Sequence, residues 1–314
     1  MLGSEAGLPR ERAEPAGGAA SGPVLVCLAP AKINLALEIL GRRPDGYHEI
    51  ISVVQMVGLY DRLEVAPADQ LRFSCDRADL AGENNLVVRA ARLLRAATGC
   101  RRGAQVTLSK RIPVAAGLGG GSSDAAAALV ALNQLWSLHL STADLLAFAA
   151  KLGSDVPLFL AGPTALLTGR GEQVQPLPSL TRRWIVLARP SLGLATASVY
   201  RALTAAAFSD GKRTCRLAGA VGAGPESGWE RFLTNSLEPT AMTLCPAMAP
   251  LRRSLADLGV GAVQMSGSGP TVFALCQSER EARQVARAMT GRNYRAWAVP
   301  FVSTMLVPKA VPTS

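Results

Sequence analysis

Apolar and polar positions alternate clearly near the start of the chain. In APAKINLALEIL, Ile33, Leu35, Leu37 and Ile39 fall on one face, and Lys32, Asn34, Ala36 and Glu38 on the other. A period of two predicts a strand that begins near Val24 and presents Lys32 and Asn34 side by side on its polar, solvent-facing side. Arg42 to Gly46 (RRPDG) has turn chemistry. Ile50 to Val65 predicts a strand pair broken near Gly58 to Asp61. Helix spacing takes over from Glu83 to Gly99, with Asn84 or Asn85 as cap and Gly99 as stop. A strand over Ala104 to Arg111 leads through Pro113 to Gly117, Leu118, Gly119, Gly120 and Gly121, then Ser122, Ser123 and an Ala/Leu run that predicts a helix. Ser141 to Asp144 opens another helix, with Asp in place of the usual Glu of a capping box. Gly153 ends it near Leu152, and Pro157 is expected to prevent its resumption.

In the second half, Thr168 to Gly171 is a turn between strands, and Arg183 to Arg189 a short buried strand. A helix follows Thr196-Ala197-Ser198. Asp210 to Gly228 is Gly-, Arg- and Ser-rich and predicts a loose loop. Thr234 to Ala241 suits a helix start ahead of Pro246 to Leu258. Strand-turn-strand alternation surrounds Ser266-Gly267-Ser268-Gly269-Pro270. An amphipathic helix over Ser278 to Thr290 and a last strand over Ala296 to Val302 complete the order, with the tail after Leu306 expected to fray. Met1 to Gly22 lacks periodicity and an apolar signal core, and is expected to be a disordered tail. No internal repeat is evident. The order predicts an α+β chain of two domains with a cleft between them.

Composition narrows the classes. The 314 residues are 49% hydrophobic and 18% charged, which suits a soluble globular protein. No run approaches the roughly 18 to 20 apolar residues of a membrane helix. The formal charge of +10 permits nucleic acid, an acidic surface or anionic small ligands. The basic residues are scattered and aromatics are only 5%, so nucleic acid is the weaker reading. The six cysteines contain no Cys-x-x-Cys pair, and His48 and His139 are far apart in sequence. That disfavours a zinc site and fits free thiols in a reducing cytoplasm.

The segment from Lys110 to Asn133 carries the chemistry. Strand, glycine loop and helix N-terminus in that order form an anion site, because glycine lets the backbone approach a ligand and the first helical N–H groups have no internal partner. The plainer alternative is a connecting loop with Ser122 or Ser123 as N-cap. The loop is neither a Walker A sequence nor a Rossmann fingerprint, whose spacing fails at Ser122. Asp155 reads alone as a turn or cap aspartate, and Tyr47 beside His48 as packing.

PVAAGLGGGSSDAAA resembles the second motif of the GHMP kinases (galactose, homoserine, mevalonate and phosphomevalonate kinases and relatives). APAKINLALEILGRRPDGYHEI before it, LGSDVPLFLAG after it and GAVQMSGSGPTVFALC near the end extend the resemblance over about Ala29 to Ala274. It implies an N-terminal ribosomal-protein-S5-like domain (23–170) and a C-terminal ferredoxin-like domain (171–306), after a tail at 1–22. It implies ATP at Lys110, Pro113, Gly117, Leu118, Gly119, Gly120, Gly121, Ser122 and Ser123. Mg²⁺ would arrive with the nucleotide, Ser123 being a candidate hydroxyl ligand, with no protein-only metal set. Lys32 and Asp155 are implied as the catalytic pair, and Asn34, Tyr47, His48, Gly267 and Gly269 as contacts of the acceptor. Asp45-Gly46-Tyr47-His48 points within the family to an acceptor that is a cytidine diphosphate-linked methylerythritol, on the non-mevalonate route to isoprenoid precursors. Another small-alcohol kinase, such as a homoserine or mevalonate kinase, lacks a reason for that tetrapeptide. A non-catalytic nucleotide- or RNA-binding module lacks a reason for Lys32 with Asp155. The protein is expected to be cytoplasmic, a monomer or weak homodimer, and free of nucleic-acid and membrane partners. Ala115 and Ala116 stand where relatives often carry glycine.

Overall fold

The structure is a computed structural model that describes residues 22–180, 183–224, 227–304 and 306–311. The tail expected over residues 1–22 lies outside these but for Gly22. Strand β1 (Val24–Arg42) and strand β2 (His48–Ala68) form a long antiparallel hairpin, paired from Leu25↔Val65 to Arg42↔His48. The RRPDG turn closes it, with the Arg43 N–H donating to the Tyr47 carbonyl at 2.8 Å. β1 is buried on both faces from Ala29 to Ile39, so Lys32, Asn34 and Glu38 are not on the solvated face that alternation predicts. Register shifts at Pro30/Ala31, Asn34/Ala36 and Ile39/Gly41 interrupt the period, and neighbouring elements cover both sides. β2 is also unbroken at Gly58 to Asp61. A Cβ on Gly58 would lie 2.9 Å from Pro300, so this glycine serves close approach and not a turn.

Strand β3 (Leu71–Cys75) leads to helix α1 (Leu86–Thr98). The Asn85 side chain caps α1 by accepting the Val87 N–H, and Gly99 ends it at φ 68°. Strand β4 (Gly103–Ser109) stops short of Lys110. Helix α2 (Gly120–Leu135) buries Ala125 to Leu129, Ala131 and Leu132, as expected of a helix that is apolar almost all round. Helix α3 (Thr142–Leu152) carries the capping box between Ser141 and Asp144. One further turn, α4 (Leu158–Ala161), begins directly after Pro157. The helix thus resumes where the proline was expected to forbid it, because a helix's first turn has no N–H to lose there.

Strands β5 (Thr164–Thr168) and β6 (Gln173–Pro176) extend the first sheet beyond β2. Strand β7 (Trp184–Arg189) enters the second sheet. After helix α5 (Thr196–Arg201), the segment expected to be a loose loop contains helix α6 (Lys212–Gly222). Thr214, Leu217 and Val221 form its narrow buried stripe. A strand residue on β1 holds its N-terminus: Glu38 accepts the Thr214 N–H at 2.7 Å and the Ser209 hydroxyl at 2.8 Å. Strand β8 (Thr234–Asn235) runs parallel to β1 where a helix start was expected, and helix α7 (Glu238–Leu244) begins only later. Helix α8 (Met248–Ala256), strand β9 (Val263–Met265), strand β10 (Val272–Cys276), helix α9 (Glu279–Gly291) and strand β11 (Arg295–Pro300) follow. The segment expected to fray holds strand β12 (Lys309–Val311), antiparallel to β1.

The first sheet has the order β12-β1-β2-β4-β3, with β5, β6 and β8 attached; the second is β11-β7-β10-β9. β6, β8 and β12 belong to the first sheet although they lie beyond residue 170. One core cluster packs α1 to α3 on the first sheet. Another joins the sheets, setting Ile33, Leu35 and Val53 with Ile185, Leu187 and Phe273. A third lies under α7 to α9.

Glu38 is 5% exposed, so removing its carboxylate leaves a helix start and a hydroxyl without their acceptor. Glu38→Ala is expected to lower stability by about 1.5–3 kcal/mol, and Glu38→Gln by less, as measured by urea unfolding.

Candidate active site

Lys32 and Asn34 project together from β1. The Lys32 ammonium donates to Asn34 Oδ1 at 2.7 Å, Asn34 Nδ2 donates to Ser52 Oγ at 2.8 Å, and the Ser52 hydroxyl donates to the Ala36 carbonyl at 2.6 Å. This relay fixes where the lysine points. The Lys32 backbone N–H donates to the Leu118 carbonyl at 2.9 Å, tying the strand to the glycine loop. Burial lowers the Lys32 pKa, and the nearby negative charge of Asp155 acts in the opposite sense.

Asp155 stands in the turn between α3 and α4 and borders the same cleft. The turn after β5 flanks it: a Cβ on Gly171 would lie 3.8 Å from Asp155 Oδ1.

Two glycines of the loop have no substitute. Gly119, at φ 70°, caps α2, and a Cβ there would press on both Lys32 and Phe159 at 3.0 Å. Gly117, at φ 75°, leaves no room for a Cβ against the Ser266 carbonyl, whose side-chain hydroxyl donates to the Gly117 carbonyl at 3.1 Å. The N-cap is therefore Gly119, and neither Ser122 nor Ser123 takes that place. Gly120, Gly121 and Ser122 form the first turn, whose amides precede the first intrahelical bond, made by Ser123 N–H to the Gly119 carbonyl. These amides and the helix dipole suit an anion.

Lys110 also borders the cleft, but its ammonium already bonds Asp61 at 2.5 Å and Asp124 at 2.6 Å. Asp61 in turn accepts the N–H groups of Arg111 and Ile112 at 2.5 and 2.8 Å. Burial alone would lower the Lys110 pKa, but Asp124 and Asp61 outweigh it and hold it raised. Burial raises that of Asp124 against the pull of Lys110. The triad fixes the entry to the loop and leaves no free positive charge on Lys110.

Of the predicted residues, Lys110, Pro113, Gly117 to Ser122, Lys32, Asn34, Tyr47, His48, Asp155 and Gly267 line one cleft of about 1270 Å³. Two do not. Ser123 is fully buried, and its hydroxyl has no partner among the described residues. Gly269 faces Met265 and Met248 behind the turn.

The cleft also holds residues the sequence did not single out. Leu86 lies beside the loop, 3.9 Å from where a Cβ on Gly121 would sit, and Leu80 lines the same cleft. At the far end the His48 ring lies 5.5 Å from Tyr200 and 6.1 Å from Phe208. Burial, then the Asp155 charge, raises the Tyr200 pKa, so that phenol stays protonated. Burial and Arg42 lower the pKa of His48, which favours a neutral imidazole able both to donate and to accept. Tyr47 is 57% exposed, with the Arg170 guanidinium 4.8 Å above its ring. Arg42, Arg170 and Arg201 border this end, and among the described residues no carboxylate forms an ion pair with them. With aromatics at only 5% of the chain, Tyr200 and Phe208 were the signal available for this wall.

The cleft thus pairs a helix start suited to an anion with an aromatic, cationic pocket, and Lys32 and Asp155 border it too. Comparison with known proteins agrees. The pattern described as GHMP kinases N terminal domain matches residues 85–163, and that described as GHMP kinases C terminal matches residues 213–296. The 4-diphosphocytidyl-2-C-methyl-D-erythritol kinase of Pelotomaculum thermopropionicum is 47% identical, over 84% of this chain and 93% of that protein. A crystal structure of 4-(cytidine 5'-diphospho)-2C-methyl-D-erythritol kinase superposes with a TM-score of 0.77 at 38% identity, covering 89% of this chain and all of that one. A homoserine kinase from Cytophaga hutchinsonii superposes with a TM-score of 0.73 over 95% of this chain and all of that one, but at 21% identity, a likeness of fold alone. Fold, motifs and nearly full-length identity converge: the chain belongs to the GHMP kinases, in the family of the 4-diphosphocytidyl-2-C-methyl-D-erythritol kinases.

Proposed function

We propose that this protein transfers the γ-phosphoryl group of ATP to the 2-hydroxyl of 4-diphosphocytidyl-2-C-methyl-D-erythritol. The observation that carries the reading is the two-ended cleft, with a helix N-terminus at one end, a histidine among aromatics at the other, and Lys32 and Asp155 on its wall. A homoserine or mevalonate acceptor has no use for the aromatic, arginine-bordered end.

ATP supplies the phosphoryl group, and Mg²⁺ carried on its phosphates offsets their charge. The amides of Gly120 to Ser122 fit the phosphates, with Leu80 and Leu86 providing apolar surface beside them. Among the described residues no three His, Cys, Asp or Glu side chains group as a metal cage. Such a donor set suits a cation held chiefly by phosphate oxygens, with Ser122 as the loop hydroxyl that borders the cleft. Tyr47 offers a ring face to a base, and neutral His48 hydrogen-bonds its edge. Arg42, Arg170 and Arg201 attract the acceptor's diphosphate. Asp155 takes the proton from the attacking hydroxyl. Lys32 stabilises the charge that develops on transfer. Six free cysteines fit a reducing cytoplasm, and among the described residues no helix is long and apolar enough to cross a membrane. A monomer or weak homodimer completes the reading.

Asp155→Asn is expected to cut ADP release in the presence of ATP, Mg²⁺ and the cytidylated acceptor by about 10²–10⁴-fold. Equal turnover in wild type and variant would reduce Asp155 to a structural cap. Burial makes Lys32 lose its proton at lower pH than an ordinary lysine, so kcat should fall on the alkaline side below about pH 10.4. A Lys32→Arg variant should keep residual activity without that alkaline limb. Tyr47→Ala should raise the acceptor KM by about tenfold to a hundredfold, the worth of one base stack, while the KM for ATP stays within about twofold.

A further inference from the structure

Arg189 ends β7 and is 6% exposed. Among the described residues it has no carboxylate partner. Its guanidinium is spent on backbone carbonyls: Nε donates to Pro190 at 3.2 Å, one terminal nitrogen to Leu192 at 3.0 Å and the other to Val114 at 3.5 Å. Burying a cation without an anion is costly, so the arrangement must return something.

What it reaches is informative. Val114 lies in the glycine loop, directly before Ala115. Ala115 is held at φ 50°, a left-handed conformation that alanine disfavours. Such strain persists only where the surroundings over-determine it. Two contacts from the second half of the chain do so: Arg189 on the Val114 carbonyl and Ser266 on the Gly117 carbonyl. Through Leu192 the same guanidinium holds the segment leading to α5, where Thr196 and Tyr200 line the cleft and Thr196 meets Ser268 at 2.8 Å.

We propose that Arg189 is a positioning residue for the nucleotide loop. It holds the Val114 carbonyl so that Ala115 stays left-handed and the loop amides keep their aim at the phosphates. Arg189 does not line the cleft, so it acts through the loop and not on the ligand. The inference rests on the reading of this loop as the ATP site.

The test is ATP binding by calorimetry, with steady-state kinetics, on the full-length protein and on Arg189→Gln, Arg189→Lys, Ala115→Gly and the Arg189→Gln/Ala115→Gly pair. Arg189→Gln should weaken ATP binding and raise its KM roughly tenfold, the worth of one left-handed alanine. Its kcat at saturating ATP should change little. Ala115→Gly added to it should restore most of the affinity, because glycine takes that conformation freely. Arg189→Lys should fall between, and it carries the test if Arg189→Gln does not fold. A lower melting temperature with unchanged ATP affinity, or no rescue by glycine, would overturn the positioning role. Wild-type protein that bound no ATP would overturn the nucleotide reading itself, and this inference with it.

Discussion

The close approach of two turns makes the site possible. Gly117 lies so near the Ser266 carbonyl that no side chain fits between them, and the Ser266 hydroxyl closes the contact. The Ser266 hydroxyl also receives the Asn34 backbone N–H at 3.3 Å, so strand β1, the glycine loop and the last motif meet at one residue. Asn235 adds a second tie by donating to the Met265 and Gly267 carbonyls at 2.9 and 2.8 Å. The cleft is therefore built from backbone contacts between distant parts of the chain, and the side chains that do chemistry are mounted on that frame.

This arrangement places charge economically. Lys110, at the entry to the glycine loop, is tied up by two aspartates, and Arg189 by carbonyls. Both act on backbone geometry. The positive charge left for ligands comes from Lys32, from the amide dipoles at the start of α2 and from the arginines at the far end. A phosphate bound at the loop is therefore met chiefly by directional N–H groups, which reward position more strictly than a mobile ammonium does.

The parts legible in the sequence were those with a local cause. Gly99, Ser141 and Asp144 act within their own turns and were placed correctly, and of the two candidate caps Asn84 and Asn85 the structure selects Asn85. The glycine loop and the turn at Ser266 to Pro270 announced themselves by composition. What escaped depended on distant partners. Helix α6 is poor in apolar residues and is started by Glu38, far back on β1, so its own composition looked like a loop. Lys32, Asn34 and Glu38 looked solvated because alternation cannot reveal a second covered face. Lys110 lines the cleft, but its pairing with Asp61 was not legible, because that aspartate comes from another strand. Tyr200 and Phe208 stood out only as scarce aromatics, and what makes them matter, their distance to His48, is not a local property.

β12 pairs with the very first strand, Val24 facing Val311. The edge of β1 at Val24 to Val26 is thus covered only by Lys309 to Val311, which follow the whole second sheet in the chain. Until β12 docks, those backbone groups are an open strand edge, and a variant lacking Lys309 to Val311 would leave that stretch free to pair with another molecule.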